Sequence, residues 1–346
     1  MLTTAFERRS LSLGGAFTIS RGTRESAEVA LVHVTDDGGR TGVGAATPTA
    51  HYGSTPATLE AVLPDLLAAV ERVGDPHALG RIEREMDATV RENPAARTAV
   101  SIAVHDLAAK RLGVPLYRLW GLDPERAPRT SFTIGISDPE TMADRAAAAV
   151  EGGHGVLKLK LGTDRDRERV EAVREAAPDV RIRVDANEAW TPREAVRKAA
   201  WLADTDVEFV EQPVPAENPA GLKFVYEHSP LPIAADESCR TLSDVPQIAD
   251  RADIANLKLM KCGGLREAKR MIATARAHGL EVMLGCMLES NASIAAACHL
   301  APLLNYADLD GSLLLADEAD PYEAFDLSDG RIELTDDRPG TGAQPR

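Results

Sequence analysis

Between residues 156 and 258 five short runs read VLKLK (156–160), RIRVD (181–185), VEFVE (207–211), PIAAD (232–236) and IANLK (254–258). Each is apolar enough for a buried strand, each ends in an ionisable residue, and a longer stretch of helical texture separates it from the next. Working outward, SFTIGI (131–136) comes before them and LEVML (280–284) and YADLD (306–310) come after, which makes eight candidate strands. From Lys160 to Asp310 the strand ends fall 22 to 26 residues apart, the span of one strand, one helix and two loops. The units share no sequence identity, so the period is architectural and not that of a solenoid. The pattern predicts an α/β fold, a (β/α)7β-type modified TIM barrel over residues 121–316.

Ahead of the barrel the texture differs. AEVALVHVTDDGGRTGVGAA (27–46) alternates apolar residues from Ala27 to Val34, turns at Asp36 to Gly39 and resumes to Ala46, which reads as a hairpin. Helical patterns follow from about Pro56 to Val73 and from Pro94 to Leu112, each with proline at its start. Strands followed by helices predict a compact α+β capping domain over residues 1–120. Residues 317–346 are expected to leave the barrel and return to that domain, with GRIELTDDRPGTGAQPR as one strand and a frayed tail.

The 346 residues include 44% hydrophobic and 27% charged side chains, enough for a large core in a soluble protein, while aromatics at 4% leave small aliphatics to fill it. A formal charge of -15 sets the global field against nucleic acid and anionic membranes, so neither is expected as a partner. No apolar run approaches a membrane span, and MLTTAFERRSLSLGGAF lacks an uninterrupted apolar core, so the chain is expected in the cytoplasm. Cys239, Cys262, Cys286 and Cys298 show no CxxC spacing, which argues against both a disulfide framework and a zinc cluster.

The rim acids carry the chemistry. A single strand-end acid commonly caps the next helix or pairs with a surface lysine. Asp185, Glu211 and Asp236 end three consecutive strands, and at the C-terminal mouth of a barrel they would converge on one cation. Without a cation such a cluster would repel itself and bind protons, and oxygen-only ligands favour Mg2+ or Mn2+ over zinc. Lys158 and Lys160, two apart on one strand, face the same way, and two adjacent ammonium groups are expected to depress each other's pKa. Lys258 lies four strands further round, so Lys160 and Lys258 would flank a substrate on opposite faces. That is the geometry of two-base proton transfer, in which one lysine removes the α-proton of a metal-bound carboxylate, leaving an ene-diolate, and the other returns one to the opposite face. Asp308 and Asp310 would face the far end of the substrate and suit a cationic group such as an α-ammonium. Glu289, in GCMLES together with Met287, is a weaker candidate of that kind.

KLKLG, DANEAW, EQP, ADES and NLKLMKCGG, with AAKRLGVPLYRLWG in the cap and the closing GCMLES and DLDG, resemble the enolase superfamily in its muconate-lactonizing-enzyme subgroup. The resemblance covers nearly the whole chain. It implies Asp185, Glu211 and Asp236 as metal ligands, Lys160 and Lys258 as the acid/base pair, and Lys158 as a residue that orients the carboxylate. It also puts Asn187 and Asn256 beside those ligands, and Lys261, three residues past its strand, is not the expected base. The Asp308–Asp310 pair is similar to that of dipeptide epimerases, where it is expected to bind the dipeptide ammonium. FTISRGTRESAEV looks like their capping loop, so Arg21 or Arg24 is expected to meet an acidic substrate side chain, as in L-Ala-D/L-Glu epimerases. His51 and Tyr52 are expected in a second capping loop. The same superfamily offers o-succinylbenzoate synthase, N-acylamino acid racemase and muconate cycloisomerase as alternatives, and the resemblance also favours a homo-oligomer.

Overall fold

The computed structural model describes residues 1–346. Eight parallel strands form the barrel: β4 (Phe132–Ile134), β5 (Val156–Lys160), β6 (Arg181–Asp185), β7 (Val207–Glu211), β8 (Ile233–Ala235), β9 (Ile254–Lys258), β10 (Glu281–Gly285) and β11 (Tyr306–Asp308). They pair in chain order, and a bridge between Thr130 and Ala307 nearly closes the ring between β11 and β4. Helices α5 (Pro139–Glu151), α6 (Asp166–Ala176), α7 (Pro192–Asp204), α8 (Pro219–His228), the short α9 (Val245–Ile248) and α10 (Leu259–Cys262), then α11 (Leu265–Ala277) and α12 (Asn291–Cys298), lie between successive strands. No helix follows β11, so the arrangement is (β/α)7β. At the bottom of the barrel Arg183 is buried, ion-paired to Glu208 at 2.7 Å and lying over the rings of Phe209 and Tyr306. No helix is long and apolar enough to cross a membrane.

The cap is a three-stranded antiparallel sheet of β1 (Thr3–Ile19), β2 (Gly22–Thr35) and β3 (Thr41–Ala46), packed on α1 (Pro56–Val73), α2 (Leu79–Thr89) and α3 (Pro94–Leu112), with α4 (Leu116–Leu119) leading to the barrel. The two largest of five buried apolar clusters hold 55 residues centred on the barrel and 21 centred on the cap. The hairpin read from residues 27–46 is β2 and β3, and β1 adds a second hairpin with β2 whose tip, the tight turn at Ser20 and Arg21, reaches the barrel mouth. β1 carries Glu7, Arg8 and Arg9 on an edge strand whose outer face meets solvent and is tied by Arg8 to Glu60 at 2.7 Å, so it lacks a strand's apolar signature. α2 buries only Ile82 and Met86, too few for a readable stripe.

The C-terminal segment differs from expectation. Residues 330–338 form no strand, and the tail is docked instead of frayed. Leu116 N donates to Gly340 O at 2.9 Å, Thr341 N donates to the buried Asp106 carboxylate at 2.7 Å, and Ala343 is buried. A backbone segment whose polar groups find partners gains order that composition does not reveal.

Candidate active site

Each rim acid owes its position to the strand that ends in or beside it. Asp185 and Glu211 are the last residues of β6 and β7, and Asp236 follows β8 directly. All three are completely buried, with one carboxylate oxygen from each lying within 4.8 Å of the others. Asn187 N and Nδ2 donate to the two Asp185 oxygens at 2.8 and 3.2 Å, and Asn256 Nδ2 donates to Glu211 Oε1 at 2.8 Å. Glu211 Oε2 accepts no hydrogen bond and meets Lys158 Nζ only as an ion pair at 2.8 Å, and Asn256 Oδ1 is unpartnered. Burial, and then the neighbouring Asp185, push the Glu211 carboxyl up to about 8. An all-oxygen donor set with an orphaned buried oxygen fits a hard divalent cation.

The lysines enclose this cluster. Lys160 Nζ lies 2.6 Å from Asp185 and Lys258 Nζ 2.7 Å from Asp236. Lys158 Nζ reaches Asp308 at 2.7 Å, Glu211 at 2.8 Å and Asp185 at 3.2 Å. Burial alone would lower the Lys158 pKa, but these three carboxylates outweigh it and hold the ammonium well above its ordinary value. The expected mutual depression of Lys158 and Lys160 is therefore overturned at Lys158, whose nearest neighbours are anions. Lys258 is also held high, burial opposing and Asp236 prevailing. Lys261 is buried and spends its three protons on Asp236 Oδ1 at 2.5 Å, Asp236 O at 2.6 Å and Asn256 O at 2.9 Å, so it anchors the β8 and β9 rims to each other.

Lys160, Lys258, Asp308, Asp310, Arg21, Arg24 and Met287 line one cavity of about 260 Å3 at the barrel mouth, between the hairpin tip and the rim. Asp308 also accepts from Ser131 Oγ at 2.5 Å, and Asp310 accepts from Thr133 N at 2.5 Å. Burial and then Asp308 push the Asp310 carboxyl up to about 7. Glu289 does not line this cavity. It is buried and turns the loop after β10 by accepting from Met287 N at 2.9 Å and Ser293 Oγ at 2.7 Å. Arg24 lines the cavity without an ion pair, whereas Arg21 is engaged with Glu237 at 2.9 Å, Glu188 at 3.2 Å and Asn187 O at 3.2 Å.

Glu188 and Glu237 escape a reading based on strand ends because they lie just beyond them. Together with His51 they form a second close acidic group, and the Arg21 guanidinium already stands beside both carboxylates. Asn187 and Glu188 have φ of 43° and 69°, left-handed values that are strained for side-chain-bearing residues and concentrate at functional sites. His51 and Tyr52 do come from a second capping loop and line the cavity, with Tyr52 held under Arg240 at 5.3 Å.

A (β/α)7β barrel roofed by an N-terminal α+β unit, with acids and lysines gathered at the strand ends, defines an enolase-type capped barrel. Residues 3–121 match the mandelate racemase / muconate lactonizing enzyme N-terminal domain and residues 141–346 the enolase C-terminal domain-like family, and the chain belongs to this superfamily. An L-Ala-D/L-Glu epimerase of Bacteroides thetaiotaomicron is 38% identical over 334 residues, covering 96% of this chain and 85% of that protein. A hydrophobic dipeptide epimerase of a Flavobacteria bacterium is 39% identical, covering 98% and 97%. The crystal structure of a dipeptide epimerase from Enterococcus faecalis, complexed with Mg and L-Leu-L-Tyr, superposes with a TM-score of 0.91 at 35% identity, covering 98% of both chains.

Proposed function

We propose that this protein is a Mg2+-dependent dipeptide epimerase of the L-Ala-D/L-Glu type, inverting the α-carbon next to the C-terminal carboxylate by two-base 1,1-proton transfer. One observation carries the reading: Lys160 and Lys258, from strands four apart in an eight-stranded ring, line the same cavity as Asp308 and Asp310. Held by Asp185, Glu211 and Asp236, Mg2+ would neutralise the charge that builds on the substrate carboxylate and would draw on Asp185 and Asp236, the carboxylates that pair with Lys160 and Lys258. Mn2+ has the same ligand preference and would substitute. Lys158, pinned among Asp308, Glu211 and Asp185, keeps its proton; it is buried and does not line the cavity, so the orienting role that the family resemblance implies would require Mg2+ to draw those carboxylates away from it. With one cavity lysine neutral and the other protonated, the neutral one takes the α-proton and the other delivers its own to the opposite face. The two exchange roles when the reaction runs backwards.

Asp310, whose carboxyl is not neutralised by a lysine, receives the dipeptide ammonium with Asp308 beside it. Arg24 is the cation free to meet an acidic side chain on the C-terminal residue, since Arg21 is already committed to Glu188 and Glu237. The test is proton NMR of L-Ala-L-Glu with enzyme and Mg2+ in D2O. Loss of the glutamyl α-proton signal with appearance of the diastereomer is the expected result. Activity on N-succinylamino acids or a cyclohexadiene precursor, with none on dipeptides, would instead select an N-acylamino acid racemase or o-succinylbenzoate synthase reaction, neither of which brings an ammonium to Asp310.

A further inference from the structure

The cavity wall is mixed. Lys258, His51 and Tyr52 make one part of it polar, and Arg24 enters from β2 directly across from Phe17 of β1. The part next to Asp308 and Asp310 is largely apolar. Phe17, Ile19, Leu288 and Leu314 line it. Leu314 follows Asp310 by one short turn, and that turn is pressed onto the loop after β10: a Cβ on Gly311 would stand 2.0 Å from Met287 O. The hairpin is joined to the same turn, because Gly14 N donates to Leu314 O at 3.0 Å and Ala316 N donates to Ser12 O at 2.9 Å. Behind the wall, Leu11, Leu13, Leu288 and Leu315 form a buried cluster against which Phe17 and Leu314 lean.

Phe17, Ile19 and Leu314 are only partly buried, so the cluster presents apolar surface to the cavity. Such surface gains when water is displaced by an apolar group. On a dipeptide, the ammonium and the N-terminal side chain share one carbon, so a substrate whose ammonium meets Asp308 and Asp310 lays that side chain on this wall. Resting on the dipeptide reading, we infer that the enzyme selects dipeptides with an aliphatic N-terminal residue larger than alanine ahead of an acidic C-terminal residue, and that Phe17 and Leu314 are specificity-determining residues. A methyl group leaves most of the wall wet, and a polar side chain gains nothing from Phe17, Ile19, Leu288 and Leu314, whose side chains carry no hydrogen-bonding group.

The experiment follows α-proton exchange in D2O with Mg2+ for L-Ala-L-Glu, L-Val-L-Glu, L-Leu-L-Glu and L-Ser-L-Glu, using the wild-type protein, Phe17→Ala and Leu314→Ala. L-Leu-L-Glu is expected to exceed L-Ala-L-Glu in kcat/KM by about tenfold, the worth of a few buried carbons, and L-Ser-L-Glu to fall below both. Each substitution is expected to collapse the Leu-to-Ala ratio towards one. A wild-type preference for L-Ala-L-Glu, or a ratio that survives both substitutions, overturns the inference while leaving the epimerase reading intact. Exchange with no dipeptide at all overturns that reading and this inference together. The wild-type ratio decides even if a variant fails to fold.

Discussion

Lys160 and Lys258 are held by different carboxylates, Asp185 and Asp236, so truncating one leaves the other in place. In Lys160→Ala, one epimer of the substrate is expected to lose α-proton exchange by a factor of about 10² to 10⁴, the contribution of a positioned general base. The opposite epimer still meets Lys258 and exchanges with solvent without inverting. Lys258→Ala is expected to show the mirror pattern, read by NMR on each purified diastereomer. Equal losses for both epimers in both variants would sink the two-base assignment. Asp310 gives a pH signature. Its carboxyl, pushed up to about 7 by burial and by Asp308, is protonated at acidic pH and ionises as pH rises through about 7. An ammonium needs the ionised form, so KM for dipeptides is expected to fall as pH rises through that region, and Asp310→Asn should flatten this dependence. For stability the sign reverses. Between the ordinary carboxylate pKa of about 4 and about 7 the folded protein keeps a proton that the unfolded chain has lost, so Asp310 costs increasing stability across that window. At this scale the rim acids and lysines were legible because a charge ending an apolar strand stands out. Glu188, Glu237 and the Arg21 pairing were not, because they depend on how a loop turns after the strand and on which loop of the cap sits above it.

The hairpin tip is the element on which the cavity depends, since it brings Arg21, Arg24, Phe17 and Ile19 to the barrel mouth. Ile136 N donates to Thr18 O at 2.8 Å, Ser20 Oγ donates to Asn187 O at 3.1 Å, and Arg21 clamps Glu188 and Glu237. Beneath it, Gly162 closes KLKLG with φ at +118°, and a Cβ there would stand 2.6 Å from Ala189 Cβ and 2.9 Å from Ser20 Cβ. Gly162→Ala is therefore expected to lift the tip, raising KM for dipeptides several-fold and lowering stability by about 1–3 kcal/mol, a backbone-strain cost. Arg21→Met should raise KM too, but its stability loss comes from leaving the buried Glu237 without its cation and should grow as pH rises through about 7, whereas that of Gly162→Ala is independent of pH. Steady-state kinetics with thermal melts across that pH range separates the two, and an unchanged KM in both would refute the role given to the tip. Barrel strands were readable from apolar runs at an even period, and α1 and α3 from apolar spacing and an initial proline. β1 was not, because an edge strand with one wet face and paired charges carries no such pattern, nor was α2, which buries only two large side chains.

Over the whole molecule, cap and barrel meet at a mouth whose floor concentrates charge. Asp185, Glu211 and Asp236 are buried together, and Lys158, Lys160, Lys258 and Lys261 are packed among them. Burial makes this arrangement costly for the protein alone, most plainly at Glu211, whose Oε2 lacks a hydrogen bond. A ligand that binds only the folded state adds stability of about 2.7 kcal/mol at a hundredfold excess over its Kd. With unfolding entropy scaling with the 346 residues, that corresponds to a rise in Tm of about 4 °C on adding Mg2+. Chelation should remove the increment along with epimerase activity. Glu211→Gln separates site from surface effects, since it keeps an oxygen to accept from Asn256 and replaces a carboxyl that burial and Asp185 already push up to about 8 with an uncharged group that cannot ionise to hold a cation. That variant is expected to be no less stable than the metal-free wild type and to gain no Tm from Mg2+. An undiminished Mg2+ increment in Glu211→Gln would mean that the ion acts on the acidic surface and not at the strand ends, and the metal assignment would fall with it.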